Sequence, residues 1–174
     1  MIRALVARRP DLEVAVSATT RPLRPGEEDG RDYHFRSEDD FLRGVDAGDF
    51  LEHVTYVSGH RYGTLRSEVE RIFAEGRSCV LELETKGAKE VELQMPEAVS
   101  IFVRAPSFGE LERRLRERAT ESAGEIGERL ALARAQMDEA ADFDHVVTND
   151  DVEQAVVRLE AIVDRELAGS LSAR

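Results

Sequence analysis

Tryptophan is absent from the 174 residues, cysteine occurs once, and proline only five times. No apolar run approaches the length that a bilayer crossing demands. The lone Cys79 has no partner for an internal disulfide, which fits a reducing, cytoplasmic setting and leaves the thiol the part of a small hydrophobe in a strand. The opening "MIRALVARRP" has neither a continuous apolar segment nor a small-residue cleavage site, so a secretory leader is not expected. A basic surplus is also missing: 24 Lys and Arg face 36 Asp and Glu, a formal charge of −12. Such a mean field repels nucleic acid and anionic membrane, so any anionic ligand has to be held by arginines gathered locally. What remains, 41% hydrophobic and 34% charged residues, suffices for one domain with a true core.

Along the chain, strand-like runs alternate with helical ones. "LEVAVSA" (12–18), "SCVLELE" (78–84), "AVSIFVRAP" (98–106) and "HVVTN" (145–149) read as strands, the second of them covered on both faces. "SEDDFLRGVDAGDF" (37–50) opens on a serine N-cap and places Phe41, Leu42 and Val45 on one face. "FLEHVTYVSGHRYGT" (50–64) reads as a hairpin broken at Ser58-Gly59, and "LRSEVERIFAEG" (65–76) as a helix stopped by Gly76. Two helical segments follow residue 106, and a last helix shows Val152, Val156, Leu159 and Val163 at steps of four, three and four. This alternation predicts an α/β fold with parallel strand pairing and right-handed crossovers, the polar 24–64 stretch being an insertion at one end of the sheet.

The stretch "VSATTRPLRPGEEDGRDYHF" (16–35) follows directly on the first strand, where α/β sheets collect ligands. Arg21 and Arg24 offer charged, fork-shaped donors to a dianionic phosphate, Tyr33 adds a neutral one, and Pro22 and Pro25 stiffen the loop. The plainer alternative is an exposed loop whose arginines pair with Glu27, Glu28 and Asp29.

The stretch resembles the substrate signature of guanylate kinases, a Ser-x-Thr-Thr-Arg run, then Arg-x-Gly-Glu, then Gly-x-Asp-Tyr-x-Phe. "FLEH", "YGT", the "GA" of "ELETKGA", "LERRLRERATES" and "VVTNDD" continue the likeness in the family's order. The resemblance implies a P-loop NTPase-like parallel core over 1–23, 65–107 and 141–174, a GMP-binding lobe over 24–64 and a lid over 108–140. It implies that Arg21, Arg24, Tyr33 and Tyr62 hold the GMP phosphate, and that Glu27 belongs to the same substrate site. Glu52 would read guanine, with Thr64 and Ser17 as hydroxyl partners and Glu84 as a second acid. An acid suits guanine, whose pairing edge presents N1–H and an amine, whereas adenine presents an acceptor at N1. For catalysis the resemblance points to Arg24, Arg118 and Arg129, and for ATP to Arg114, Asn149 and Asp150, with Mg2+ arriving on the ATP and no protein metal site. Read without it, "RRLRER" is a solvated helix face, and Asn149 or Asp150 is the N-cap of the last helix.

This chain departs from the family pattern at Glu84, usually aspartate, at Lys86, usually glutamine, and at His60-Arg61 in a hairpin one residue longer than common versions. It also contains no G-x-x-x-x-G-K-[ST] loop, the backbone cradle for ATP phosphates. "MIRALVARRPDLE" resembles the tail of the helix that follows that loop, with Ile2, Leu5 and Val6 as its buried face. The expectation is an N-terminally shortened guanylate kinase that transfers phosphate weakly. The alternative is a non-catalytic module of the same shape that recognises phosphorylated ligands.

Overall fold

The structure, a computed structural model, describes residues 1–56, 58–117 and 123–172. Along the chain run α1 (Ile2–Arg8), β1 (Leu12–Val14), β2 (Ala18–Thr19), β3 (His34–Phe35), α2 (Glu38–Ala47), β4 (Phe50–Thr55), β5 (Arg61–Leu65) and α3 (Arg66–Ala74). Then come β6 (Ser78–Val80), α4 (Thr85–Gln94), β7 (Ile101–Arg104), α5 (Phe108–Glu117), α6 (Ala123–Asp138), a short 3-10 turn (Glu139–Asp142), β8 (His145–Thr148) and α7 (Val152–Ser172). The chain divides into two compact units, Pro10–Ala98 and Met1–Arg9 with Val99–Arg174.

In the first unit β1 and β6 pair in parallel, and β3-β2-β5-β4 form a second sheet. The strand expected over 12–18 is therefore two strands: β1 bonds to β6, and β2 bonds to β3 and to β5. Between them the Val16 amide turns to the Glu68 carboxylate, 3.4 Å away, and this crossing carries the chain from one sheet to the other. Likewise "LELE" beyond Val80 leaves its ladder because its partner β1 ends at Val14. The helix expected after Ser37 forms as α2: the Ser37 hydroxyl accepts from the Asp40 amide, and Gly48 closes it in the left-handed conformation, φ 76°.

Two apolar clusters anchor this unit. Ala18, Phe41, Phe50 and Leu65 form one, with the Phe41 and Phe50 rings stacked at 4.4 Å. Leu51, Val69 and Val91 form the other, with Cys79, Leu81 and Leu83 packed on it. Neighbours Phe50 and Leu51 both reach a core because β4 is bulged: Phe50 pairs with Leu65, but Glu52 pairs with Thr64, so one extra residue is spent on the β4 side. Next to the bulge, Gly63 is required by close approach, since a Cβ there would lie 2.7 Å from Phe50 and 2.8 Å from the Glu52 carbonyl oxygen.

In the second unit β7 and β8 pair in parallel from Ile101–His145 to Arg104–Thr148. Helix α1 lies on α7, buries Leu5 and leaves Ile2 and Val6 half-covered. Arg8 pairs with Glu153 and Glu160, and Arg9 lies 2.5 Å from Asp164. Helix α5 is laced by Arg113 with Glu110 and Glu117, and by Arg116 with Glu112, pairs at the three- and four-residue steps that neighbour one another on a helix. The cap of α7 is Asp151, which accepts from the Gln154 amide at 2.9 Å, not Asn149 or Asp150. With α7 starting at Val152, Asp151 is the residue one step outside the helix, from which a short carboxylate reaches the third helical amide.

Candidate active site

Arg21 leaves the end of β2 and is 8% exposed. Its guanidinium holds Glu27 in a fork, 3.0 Å and 2.7 Å, and donates to the Pro22 carbonyl oxygen at 2.7 Å. The guanidinium lies 5.3 Å from the centre of the Tyr33 ring, and Tyr33 meets Tyr62 edge-on at 5.9 Å. Three residues expected on the phosphate thus share one corner of the first unit. The bond to Glu27 raises the Arg21 pKa and, with the Arg24 amide at 2.7 Å, holds the Glu27 carboxyl below its ordinary range. Burial pushes the Tyr33 phenol up, so it stays a neutral donor. The local pairing weighed for this loop is therefore present at Arg21 and orients it. Arg24 differs: its amide binds Glu27, while its exposed guanidinium has no bonding partner among the described residues.

On β4, Glu52 is 4% exposed. Its Oε1 accepts from both the Thr64 amide, 2.9 Å, and the Thr64 hydroxyl, 2.8 Å, the pairing that the bulge makes available. No described donor meets Oε2. Burial raises the Glu52 pKa against the lowering effect of the two Thr64 bonds. Ser17 lies one residue before Ala18, whose partner Gly63 precedes Thr64, so the two hydroxyl residues follow one another along the same pairing. Glu84 is the residue from which α4 departs. Three residues on, the α carbon of Gly87 comes so near Glu52 that a Cβ would stand 2.7 Å from Oε2.

In the second unit Arg114 donates to Glu110 at 2.7 Å and to the Asn149 carbonyl oxygen at 2.8 Å, joining two of the residues expected on ATP. The Asn149 side-chain oxygen is buried without a hydrogen-bond partner among the described residues. Asp150 accepts from the Asp151 amide and from Arg158, and these bonds hold its carboxyl below the ordinary range. Arg118 and the side chain of Arg129 lie outside the described residues.

The profile of guanylate kinases matches residues 1–166. The chain belongs to the guanylate kinase family. It is 45% identical over 163 residues to a guanylate kinase of Frankia casuarinae, an overlap of 94% of this chain and 88% of that one. It is 46% identical over 169 residues to a guanylate kinase of Rubrobacter xylanophilus, covering 97% and 88%. The crystal structure of guanylate kinase from Anaplasma phagocytophilum superposes with a TM-score of 0.77 at 32% identity, covering 94% of this chain and 81% of that one.

Within the guanylate kinase frame, sequence reasoning missed α4 and the β4 bulge. Helix α4 buries only Thr85, Gly87 and Val91, too sparse a period to read through "TKGAKEVELQ". The bulge has no residue signature at all. Among the described residues no three His, Cys, Asp or Glu converge as a metal cage, and Asp150 is already committed.

Proposed function

We propose that this protein transfers the γ-phosphoryl group of ATP to GMP, giving ADP and GDP. A GMP phosphate oxygen attacks the γ-phosphorus, the bond to the β-phosphate oxygen breaks, and ADP leaves with that electron pair. The chemistry asks little covalent work of the protein, so its residues act by positioning and by neutralising charge.

The observation that carries this reading is the half-satisfied carboxylate of Glu52. Thr64 fixes Oε1, and Oε2 meets no donor among the described residues, which leaves it free to accept from a ligand. Guanine supplies N1–H and an amine to such an acceptor, and adenine would set its own N1 lone pair against it. At the phosphate corner, Arg21 arrives oriented by Glu27, which lowers the entropy lost on binding. The exposed Arg24 guanidinium, Tyr33 and Tyr62 complete the cradle. Ser17 and Glu84 flank the base.

On the donor side, the orphan side-chain oxygen of Asn149 suits the exocyclic amine of adenine, and Arg114, already beside it, suits a phosphate. Arg118 and Arg129 are assigned to charge neutralisation on the transferring group by family position alone. Mg2+ would come coordinated by the ATP phosphates. The assignment is to the cytoplasm; among the described residues no helix is long and apolar enough to cross a membrane.

These 174 residues hold the GMP half of the chemistry but no G-x-x-x-x-G-K-[ST] cradle. Assayed alone, they should bind GMP and turn over far below the rough 1 to 100 per second of kinases. A coupled ATP-consumption assay with GMP checks both parts. Faster consumption with AMP than with GMP contradicts the assignment. The non-catalytic alternative predicts tighter binding of a phosphoserine peptide than of GMP in the same buffer.

A further inference from the structure

Glycines in this chain differ in what surrounds them. Gly26, Gly30, Gly48, Gly59 and Gly76 have positive φ and open space around them. Gly87 has helical backbone inside α4, where any residue fits conformationally and glycine weakens the helix. The reason for a glycine there lies in its surroundings, where the nearest atoms all belong to one side chain. The three heavy atoms nearest to a Cβ built at Gly87 are Oε2, Cδ and the Cγ of Glu52, at 2.7, 3.3 and 3.7 Å.

An end-of-side-chain contact is ordinarily relieved by rotation. Glu52 lacks that freedom: it is 4% exposed, and Thr64 pins Oε1 by two bonds. Moving Oε2 away from position 87 therefore breaks the Thr64 bonds or turns the carboxylate out of the plane in which it would meet a base. We infer that Gly87 is a specificity-determining residue, which selects guanine by holding open the only space in which the Glu52 carboxylate keeps its base-reading orientation. It is a positioning residue, touching the acid and not the nucleotide. The inference rests on the proposed reading of Glu52 as the guanine acceptor.

The test substitutes Gly87→Ala in the full chain and titrates it calorimetrically with GMP, AMP and ribose 5-phosphate. GMP affinity should fall at least tenfold, the preference for GMP over AMP should shrink toward that of Glu52→Gln, and ribose 5-phosphate, which lacks the base, should bind within twofold of the unsubstituted chain. Adding Glu52→Gln to Gly87→Ala should cause little further loss, because both changes remove one function. A folded Gly87→Ala that keeps GMP affinity within twofold, and its preference over AMP, overturns the inference while leaving the functional reading intact. If the unsubstituted chain binds no GMP, both fall.

Should Gly87→Ala fold poorly, thermal midpoints give the answer without ligand. Alanine at 87 should lower the midpoint beside Glu52 but raise it in a Glu52→Ala background, where the clash is gone and only helix preference remains. The same sign in both backgrounds overturns the steric coupling.

Discussion

Replacing Glu52 by glutamine changes one atom and inverts one hydrogen-bonding role. Oε1 can keep both bonds from Thr64. The amide nitrogen then takes the place of Oε2 and offers a donor to a base edge that also offers donors. A hydrogen bond to a charged group contributes about 1.5 to 3 kcal/mol. At about 1.4 kcal/mol per factor of ten, GMP should bind roughly 10- to 150-fold more weakly, and the preference over AMP should collapse. Stability should move the other way. Burial raises the Glu52 pKa in the folded chain, so the folded form takes up a proton more readily than the unfolded one. The stability linked to that proton is complete below the ordinary glutamate range and is lost as pH rises through the raised value. Glutamine never ionises, so its thermal midpoint should equal or exceed the wild-type midpoint at neutral pH, with the gap narrowing toward acid. For the same reason wild-type GMP affinity should decline as pH drops through that raised value. Calorimetry with GMP and AMP, beside thermal melts across pH, reads all of this. Glu52→Gln binding GMP within threefold of wild type, with AMP still rejected, would refute the reasoning.

Arg24→Ala removes an exposed cation that makes no side-chain hydrogen bond among the described residues, so GMP and ribose 5-phosphate should both weaken roughly tenfold or more while the thermal midpoint stays put. Glu27→Gln should loosen Arg21 and weaken phosphate binding with little effect on base preference, which competition between GMP and ribose 5-phosphate would measure. Because Arg21 and the Arg24 amide hold the Glu27 carboxyl low, its contribution to stability is present above the ordinary glutamate range and lost as pH falls through the depressed value, and Glu27→Gln should flatten that acid limb. Burial pushes the Cys79 thiol up to about 11, so the native chain at pH 8 should react with a thiol reagent far more slowly than free cysteine, and denaturant should restore the rate.

Arg21, Arg24 and Tyr33 stood out by residue type after the first strand, Tyr62 and Glu52 only through the family resemblance, and α2 because Ser37 caps it. The sequence concealed whatever depends on partners. The break between β1 and β2 follows from which strands each segment meets, and "LEVAVSA" carries no mark of it. The bulge that brings Glu52 to Thr64 is a difference of one residue between two strands, visible only when they are paired. Arg21 looked like a free phosphate ligand or a paired surface cation; it is a cation oriented by its pair, a distinction that needs the Glu27 geometry. Gly87 entered only as part of the "GA" that matches the family pattern, and its surroundings are led by an acid 35 positions earlier in the sequence.

Calorimetric titration of the unsubstituted chain with GMP and AMP, at equal concentration and pH, tests the pairing of a phosphate cradle with a guanine-reading acid most directly. Saturable heat from GMP, with AMP weaker by tenfold or more, is the predicted outcome. Equal binding of the two nucleotides, or heat from neither, would contradict it.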